Sequence, residues 1–283
     1  MEPPPNIDQP FFAYGLFKPG QLAFFQVREF VKKIRSEAFV SGMLLLRDGL
    51  PLFEPSDRGR VWGAVLTFRP EQAGEAYERI AEMEPKRQYR WHETKVDELT
   101  VNVLVGRSLS KGSDYSEFDD WNGWHDPHFR EALEIVEETI ETEDCNLNSK
   151  QFFKLQMAYM LLWTSIERYA SLRYNLGDSV MEKVLNLAED PTFCDSLQRN
   201  VEDSRAVYRA DRPDAKEVLD PSSPLKALKY YYQIRSNIVH RGKSLWRDYD
   251  RVSKSTKELV EIFREVLAAA EQDASREMTD ASQ

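Results

Sequence analysis

The chain has 283 residues, 41% hydrophobic and 12% aromatic, with 38 Lys and Arg against 48 Asp and Glu and a formal net charge of −10. That length accommodates two ordinary domains, and the composition excludes a disordered chain. Its apolar runs, AFVSGMLLL and MAYMLLW among them, are too short to cross a bilayer, and MEPPPNIDQP has neither a basic region nor an apolar signal core. The expectation is a cytoplasmic protein without membrane contact.

In chain order, FFAYGLF, FVSGMLLL, RVWGAVLTF and KVDELTVNVLV are short, partly alternating apolar runs. KPGQ, RDGLP and EPSDRG lie between them, the punctuation of strands and turns. Between the third and fourth runs, Ala73, Ala76, Tyr77, Ile80 and Met83 recur at helical spacing. The order strand, helix, strand, strand, helix, strand predicts a small mixed α/β barrel or sheet over residues 8–110. Residues 111–147 read as a connector with an acidic helix, HFREALEIVEETIETED, preceded by the close tryptophans Trp121 and Trp124, which read as an aromatic lid, an interface or part of the core.

After Asn148 the pattern turns helical. KQFFKLQMAYMLLWTSIERYASLRYN is apolar nearly all round and predicts a central, buried helix. SVMEKVLNLAED, PTFCDSLQRNVEDSRAVYR, SPLKALKYYYQIRSNIVHR and SKSTKELVEIFREVLAAAEQ follow as further helices. The reading is an all-helical bundle over 148–272 and a disordered tail at 273–283, so the fold class is α+β.

Cys145 and Cys194 sit in no CxxC pattern. His125 and His128 have a ligand-like spacing but no third ligand beside them. No metal or other cofactor is therefore expected. Charge is unevenly placed. Nine Lys and Arg fall between 222 and 257 against two acids, and twelve acids between 111 and 149 against two bases. The basic stretch holds Arg235 and His240, an R-x4-H phrase in YYYQIRSNIVHRGK. Guanidinium can steady charge on a phosphorane, and imidazole can exchange protons with a 2′-hydroxyl or a leaving 5′-oxygen. On an ideal helix the two side chains point about 140° apart, so they converge only if the helix ends between them or a second copy contributes. Lys229, Tyr232, Arg241, Lys243, Trp246 and Arg247 are the candidate RNA contacts, and Tyr230 and Tyr231 are further candidates for stacking on bases.

The aromatic helix leading into IRSNIVHRGK, about 60 residues after a long apolar helix carrying SIERY, resembles the HEPN domains of the Apea-like branch. The resemblance implies a helical bundle, a homodimer or higher homo-oligomer, and a metal-independent endoribonuclease with Arg235 and His240 as catalytic residues. It also implies a role as a toxin or antiviral defence effector. Glu167 matches an acidic position that would orient Arg235. Ser236 stands where the family has Asn, Asp or His, and Asn237 is the candidate to share that role.

The opening FFAYGLFKPGQ resembles the γ-glutamylcyclotransferase-like family. VSGMLLLRDGLPLF, VWGAVLTF and ERIAEMEP followed by YRW fit its later pieces. The resemblance implies a pocket formed by Tyr14, Gly15, Leu16, Phe17, Glu84 and Tyr89, with Glu84 as general acid and base. Leu16 and Phe17 replace the family's Ser/Thr-Leu, Ala81 its Asp and Pro85 its Gly, which makes the loop more apolar.

Three readings follow. In the first, the helical half cleaves RNA and the N-terminal half is a sensor, recognition module or scaffold for a small-molecule or protein ligand. In the second, the N-terminal half is a cyclotransferase on γ-glutamyl amides and the helical half a dimerisation domain. In the third, the chain is a non-enzymatic binding module. Glu84 and the pair Arg235/His240 discriminate among them.

Overall fold

The computed structural model describes residues 1–283 apart from 85–86, 143–147, 175–179, 210–211, 213, 242–247 and 282–283. The fold is mixed α+β and, among the described residues, has a curled six-stranded half-barrel sheet and seven α-helices. Two units separate: one is Met1–Asp126 with Leu172–Asp178 and Ala270–Gln283, the other Pro127–Ser171 with Ser179–Ala269.

In the first unit every residue of β1 (Phe11–Ala13) is buried. The strand lies inside the sheet, antiparallel to β3 (Leu50–Phe68) with Phe12 opposite Val65, and parallel to β5 (Leu99–Gly106) with Phe12 opposite Val103. A strand covered on both faces needs an unbroken apolar run, which FFA supplies. The order is β4-β5-β1-β3-β2-β6, with β4 (Tyr89–Val96) and β6 (Asp114–Tyr115) at the edges. The sequence left barrel or sheet open, and among the described residues the arrangement is a curled half-barrel sheet.

β2 (Val31–Arg47) and β3 form a hairpin closed by Asp48 and Gly49, at φ 51° and 73°, with Arg47 opposite Leu50. Two positive φ angles in a two-residue loop are what Asp-Gly provides, and the turn matches the twist of the flanking strands. A second tight turn corrects the sequence reading. KVDELTVNVLV is not one strand, because Asp97 turns back at φ 52° and pairs Val96 with Leu99. Helix α1 (Ala73–Met83) buries Ala73, Ala76, Tyr77, Ile80, Ala81 and Met83, a stripe that faces Phe11 and Phe68 through the Tyr77 ring. The helix anticipated between the first two strands is absent; residues 24–30 form two 3-10 turns instead.

The second unit contains α2 (Glu131–Glu141), α3 (Ser149–Arg173), α4 (Val180–Leu185), α5 (Pro191–Asn200), α6 (Pro224–Arg241) and α7 (Tyr249–Ala281). The ends of α3 and α7 fall in the first unit. Asp190 caps α5 by accepting from the Phe193 amide at 3.1 Å, and Pro191 opens the helix. α3 buries Phe152, Tyr159, Trp163, Ile166 and Tyr169, but leaves Phe153 54% and Met157 71% exposed. It is amphipathic, not buried all round.

The bundle is not all helical. α5 stops at Asn200, and β7 (Arg205–Tyr208) pairs with β8 (Lys216–Leu219) in a hairpin. Arg205 anchors the hairpin through its side chain. Its guanidinium reaches both oxygens of Glu258, Nη2 donating to Oε2 and Nη1 to Oε1, the latter at 2.9 Å, and donates from Nε to the Tyr230 hydroxyl at 3.1 Å. Tyr231 donates to the same carboxylate at 3.0 Å. A buried charge pair needs this saturation to be tolerated. The tail expected to be disordered from 273 continues α7 as far as Ala281. Among the described residues, no helix is long and apolar enough to cross a membrane.

Candidate functional site

The first unit holds a small, partly open pocket lined by Phe11, Ala13, Tyr14, Gly15, Leu16, Phe17, Pro51, Glu84, Tyr89 and Leu104. All six residues proposed for an N-terminal pocket are in that wall. Phe11, Ala13, Pro51 and Leu104 are additions that sequence alone did not single out. Pro51 follows the Asp48-Gly49 turn, and Leu104 is brought in by the parallel β1–β5 pairing.

β1 delivers Tyr14 into the wall, where its hydroxyl donates to the Leu104 carbonyl at 2.8 Å and accepts from the Phe53 amide at 3.1 Å. Burial, reinforced by the nearby Glu84 charge, pushes this phenol far above its ordinary range. Tyr89, from the start of β4, donates to the Pro51 carbonyl at 2.9 Å. The chain then winds through residues 15–23, with Lys18 N bonded to Gly15 O at 2.9 Å and Ala23 N to Leu16 O at 3.1 Å. A side chain at Gly15 would come within 2.8 Å of Pro51 Cγ.

The segment beyond β6 braces this loop. Trp124 Nε1 donates to Gly20 O at 2.9 Å, Gly123 N to Gln21 Oε1 at 2.8 Å, and Lys18 Nζ to Trp121 O at 2.9 Å. Lys18 also pairs with Asp120. Trp121 is buried and donates to Gly49 O at 3.0 Å. The tryptophans therefore pack as supports for the pocket loop.

Glu84 is the chemical centre. It caps the C-terminus of α1 through its amide to Ile80 O at 3.1 Å, and its side chain is buried. Oε2 has no hydrogen-bond partner among the described residues. Desolvation raises its pKa from 4.5 to about 8. The negative end of the α1 dipole acts in the same direction. A carboxyl in this state can give or take a proton near neutral pH.

In the second unit, Arg235 and Glu167 meet at 3.4 Å between Nη2 and Oε1, and the guanidinium lies 5.5 Å from the Tyr232 ring centre. Burial raises Glu167 above the ordinary carboxyl range, against the opposing pull of Arg235 and Lys183. Helix α6 continues through both Arg235 and Arg241, so no helix end separates Arg235 from His240. At 100° per residue their directions differ by about 140° within one chain. His240 is exposed and Ser236 half-buried. Asn237 is buried and committed elsewhere: its Nδ2 donates to Tyr208 O at 2.9 Å and its Oδ1 accepts from Gln233 at 3.0 Å.

The expectation that Tyr230 and Tyr231 stack on bases is overturned, because both are buried around Arg205 and Glu258. Tyr232 is half-buried with its ring edge-on to Trp163, and Lys229 is exposed. The basic run is partly neutralised, since Lys226 pairs with Asp220, Arg251 with Asp248 and Lys254 with Asp203. Lys243, Trp246, Arg247 and the Arg241 side chain lie outside the described residues. Among the described residues no group of three or more His, Cys, Asp or Glu is placed to hold a metal.

No family model matches the chain, and no curated protein does. A search of solved structures finds a likeness to the uncharacterized protein PH0828 from Pyrococcus horikoshii, 20% identical, over 40% of this chain and 88% of that one, with a TM-score of 0.34.

Proposed function

We propose that the first unit is an enzyme pocket in which Glu84 moves a proton during an intramolecular acyl transfer, as in the γ-glutamylcyclotransferases that its sequence resembles. The observation that carries this reading is the Glu84 carboxyl, buried, with Oε2 unpartnered among the described residues, in the wall of a pocket that the loop residues Gly15, Leu16 and Phe17 also line. In such a reaction the substrate amine attacks its own γ-carbonyl. A lactam C–N bond forms, the amide C–N bond breaks, and the proton lost by the attacking nitrogen passes through Glu84 to the departing amine. Ionised Glu84 is the base, and its protonated form the acid. The test is release of lactam from γ-glutamyl amides by the full chain. Activity abolished in Glu84→Gln with the fold retained supports the reading; undiminished activity overturns it.

The second unit is proposed to cleave RNA without a metal as a HEPN-type hydrolase, serving growth arrest or antiviral defence, with the first unit as its sensor or recognition module. What favours this is the Arg235–Glu167 contact on α6 and the exposed His240 five residues on. Because the pair diverges within one chain, the reading requires a homodimer or higher oligomer in which Arg235 of one copy works with His240 of another. Cleavage of single-stranded RNA in EDTA, lost in Arg235→Ala and in His240→Ala, is the expected result. Loss of no activity in any of these variants favours a non-enzymatic binding module.

A further inference from the structure

Helix α4 buries a lysine, a residue type that seldom leaves solvent unless it is paired. Lys183 is 8% exposed, and its Nζ donates to Ser171 Oγ at 3.2 Å. Ser171 follows Glu167 by four residues on α3, so the two lie a turn apart on one face of that helix. The ammonium is thus brought to the face of α3 that carries Glu167, the carboxylate that Arg235 meets from α6 at 3.4 Å. Arg235 and Lys183 both act on Glu167, against the burial that disfavours its charge.

A serine hydroxyl accepts a hydrogen bond from an ammonium but cancels none of its charge, whereas a carboxylate does both. A carboxylate that orients a guanidinium also competes with an incoming phosphate for it. A second cation on the same carboxylate weakens that competition, and two cations on one carboxylate leave the group net positive. From this geometry we infer that Lys183 is a positioning residue for RNA cleavage: it shares the Glu167 carboxylate with Arg235, so that the guanidinium is held in place and keeps charge for a phosphate. This rests on the ribonuclease reading of the second unit and adds to it a residue outside the R-x4-H phrase.

The test uses the full chain and two readouts. The first needs no RNA: it is the titration of the Glu167 carboxyl, followed by its carbon-13 resonance and assigned by the loss of that signal in Glu167→Gln. Lys183→Gln keeps a donor for Ser171 and removes the charge, so it should move the titration to higher pH, and Lys183→Arg should restore it. Ser171→Ala breaks the tie between α4 and α3 without removing a charge; it should move the titration less than Lys183→Gln, and serves if that variant does not fold.

The second readout is cleavage of single-stranded RNA in EDTA as a function of pH. Lys183→Gln should lower kcat/KM by about two- to fivefold, the scale of a partly exposed charge contact, and carry the acid limb of the profile to higher pH. In the Glu167→Gln background the same replacement should change cleavage by less than about twofold, because the carboxylate through which it acts is gone. A Glu167 titration unmoved by Lys183→Gln overturns the inference and makes Lys183 a structural tie. So does a full loss of rate from Lys183→Gln in the Glu167→Gln background. RNA left uncut by the unaltered chain defeats the ribonuclease reading and the positioning role with it, while a Lys183-dependent titration would still establish the shared carboxylate.

Discussion

A glutamate at the end of α1 would ordinarily be a solvated surface acid; here the first turn after the helix carries it inward instead. Burial holds its pKa at about 8 against a reference of 4.5. Two consequences differ in sign. As a base the residue works only when ionised, so kcat/KM for lactam formation should rise about tenfold per pH step up to about 8 and then level, a profile that Glu84→Gln should abolish. Stability runs the other way. The folded state retains the proton that the unfolded chain releases, so the contribution is full below about pH 4.5 and disappears as pH rises through about 8. Urea unfolding should show the unaltered chain losing a few kcal/mol more than Glu84→Gln between those limits, about 1.4 kcal/mol for each tenfold change in proton affinity.

At the same scale, Arg235 and His240 are unequal partners. Arg235 is held by Glu167, whereas His240 is exposed near the end of α6. Glu167→Gln should reduce RNA cleavage less than Arg235→Ala, because it loosens the guanidinium without removing it. An equal loss would give the carboxylate a direct chemical part.

Among the elements, the β1–β3 pairing is the support on which the pocket depends. Gly63 lies where a Cβ would be 2.4 Å from Ala13 O and 2.8 Å from the Phe12 ring. Since the nearest obstacle is backbone, it cannot move aside without displacing β1. Gly63→Ala should therefore destabilise the first unit by about 1–3 kcal/mol and weaken ligand binding in the pocket. Far-ultraviolet dichroism on heating measures the first effect and calorimetry the second. In the other unit the β7–β8 hairpin is secured by Arg205 on Glu258. Glu258→Leu leaves a partly buried guanidinium without its partner and should cost about 3–5 kcal/mol. Joint replacement of Arg205 and Glu258 by Met and Leu should recover much of that loss in urea unfolding, whereas a purely steric role for Glu258 predicts no recovery.

These elements also show what kind of pattern a linear reading can reach. The Asp48-Gly49 turn and the α1 stripe are local devices, encoded within a few residues, and both were legible. The β7–β8 hairpin was not, because four-residue strands are too short to show a period and Arg205 depends on Glu258, 53 positions away. α3 read as buried all round because Phe153 and Met157 are apolar by type, while their exposure is a matter of what packs beside them.

For the molecule as a whole, the two units keep their chemical groups apart: Glu84 belongs to one, and Arg235, Glu167 and His240 to the other. If the two sites act independently, His240→Ala should leave lactam formation within about twofold of the unaltered chain, and Glu84→Gln should leave RNA cleavage similarly unchanged. A loss of both activities from either substitution would require energetic coupling between the units.

The sequence by itself determined the α+β class, the turn residues, the helical stripes and the membership of the pocket loop, because each is set by neighbours within a few positions. Only tertiary structure decided that Glu84 Oε2 lacks a donor among the described residues, that Tyr14 and Tyr89 have already committed theirs, and that Tyr230 and Tyr231 are withdrawn from solvent. Hydrogen-bond partners and burial are properties of residues far apart in the chain, and the chemistry of an ionisable group follows from them.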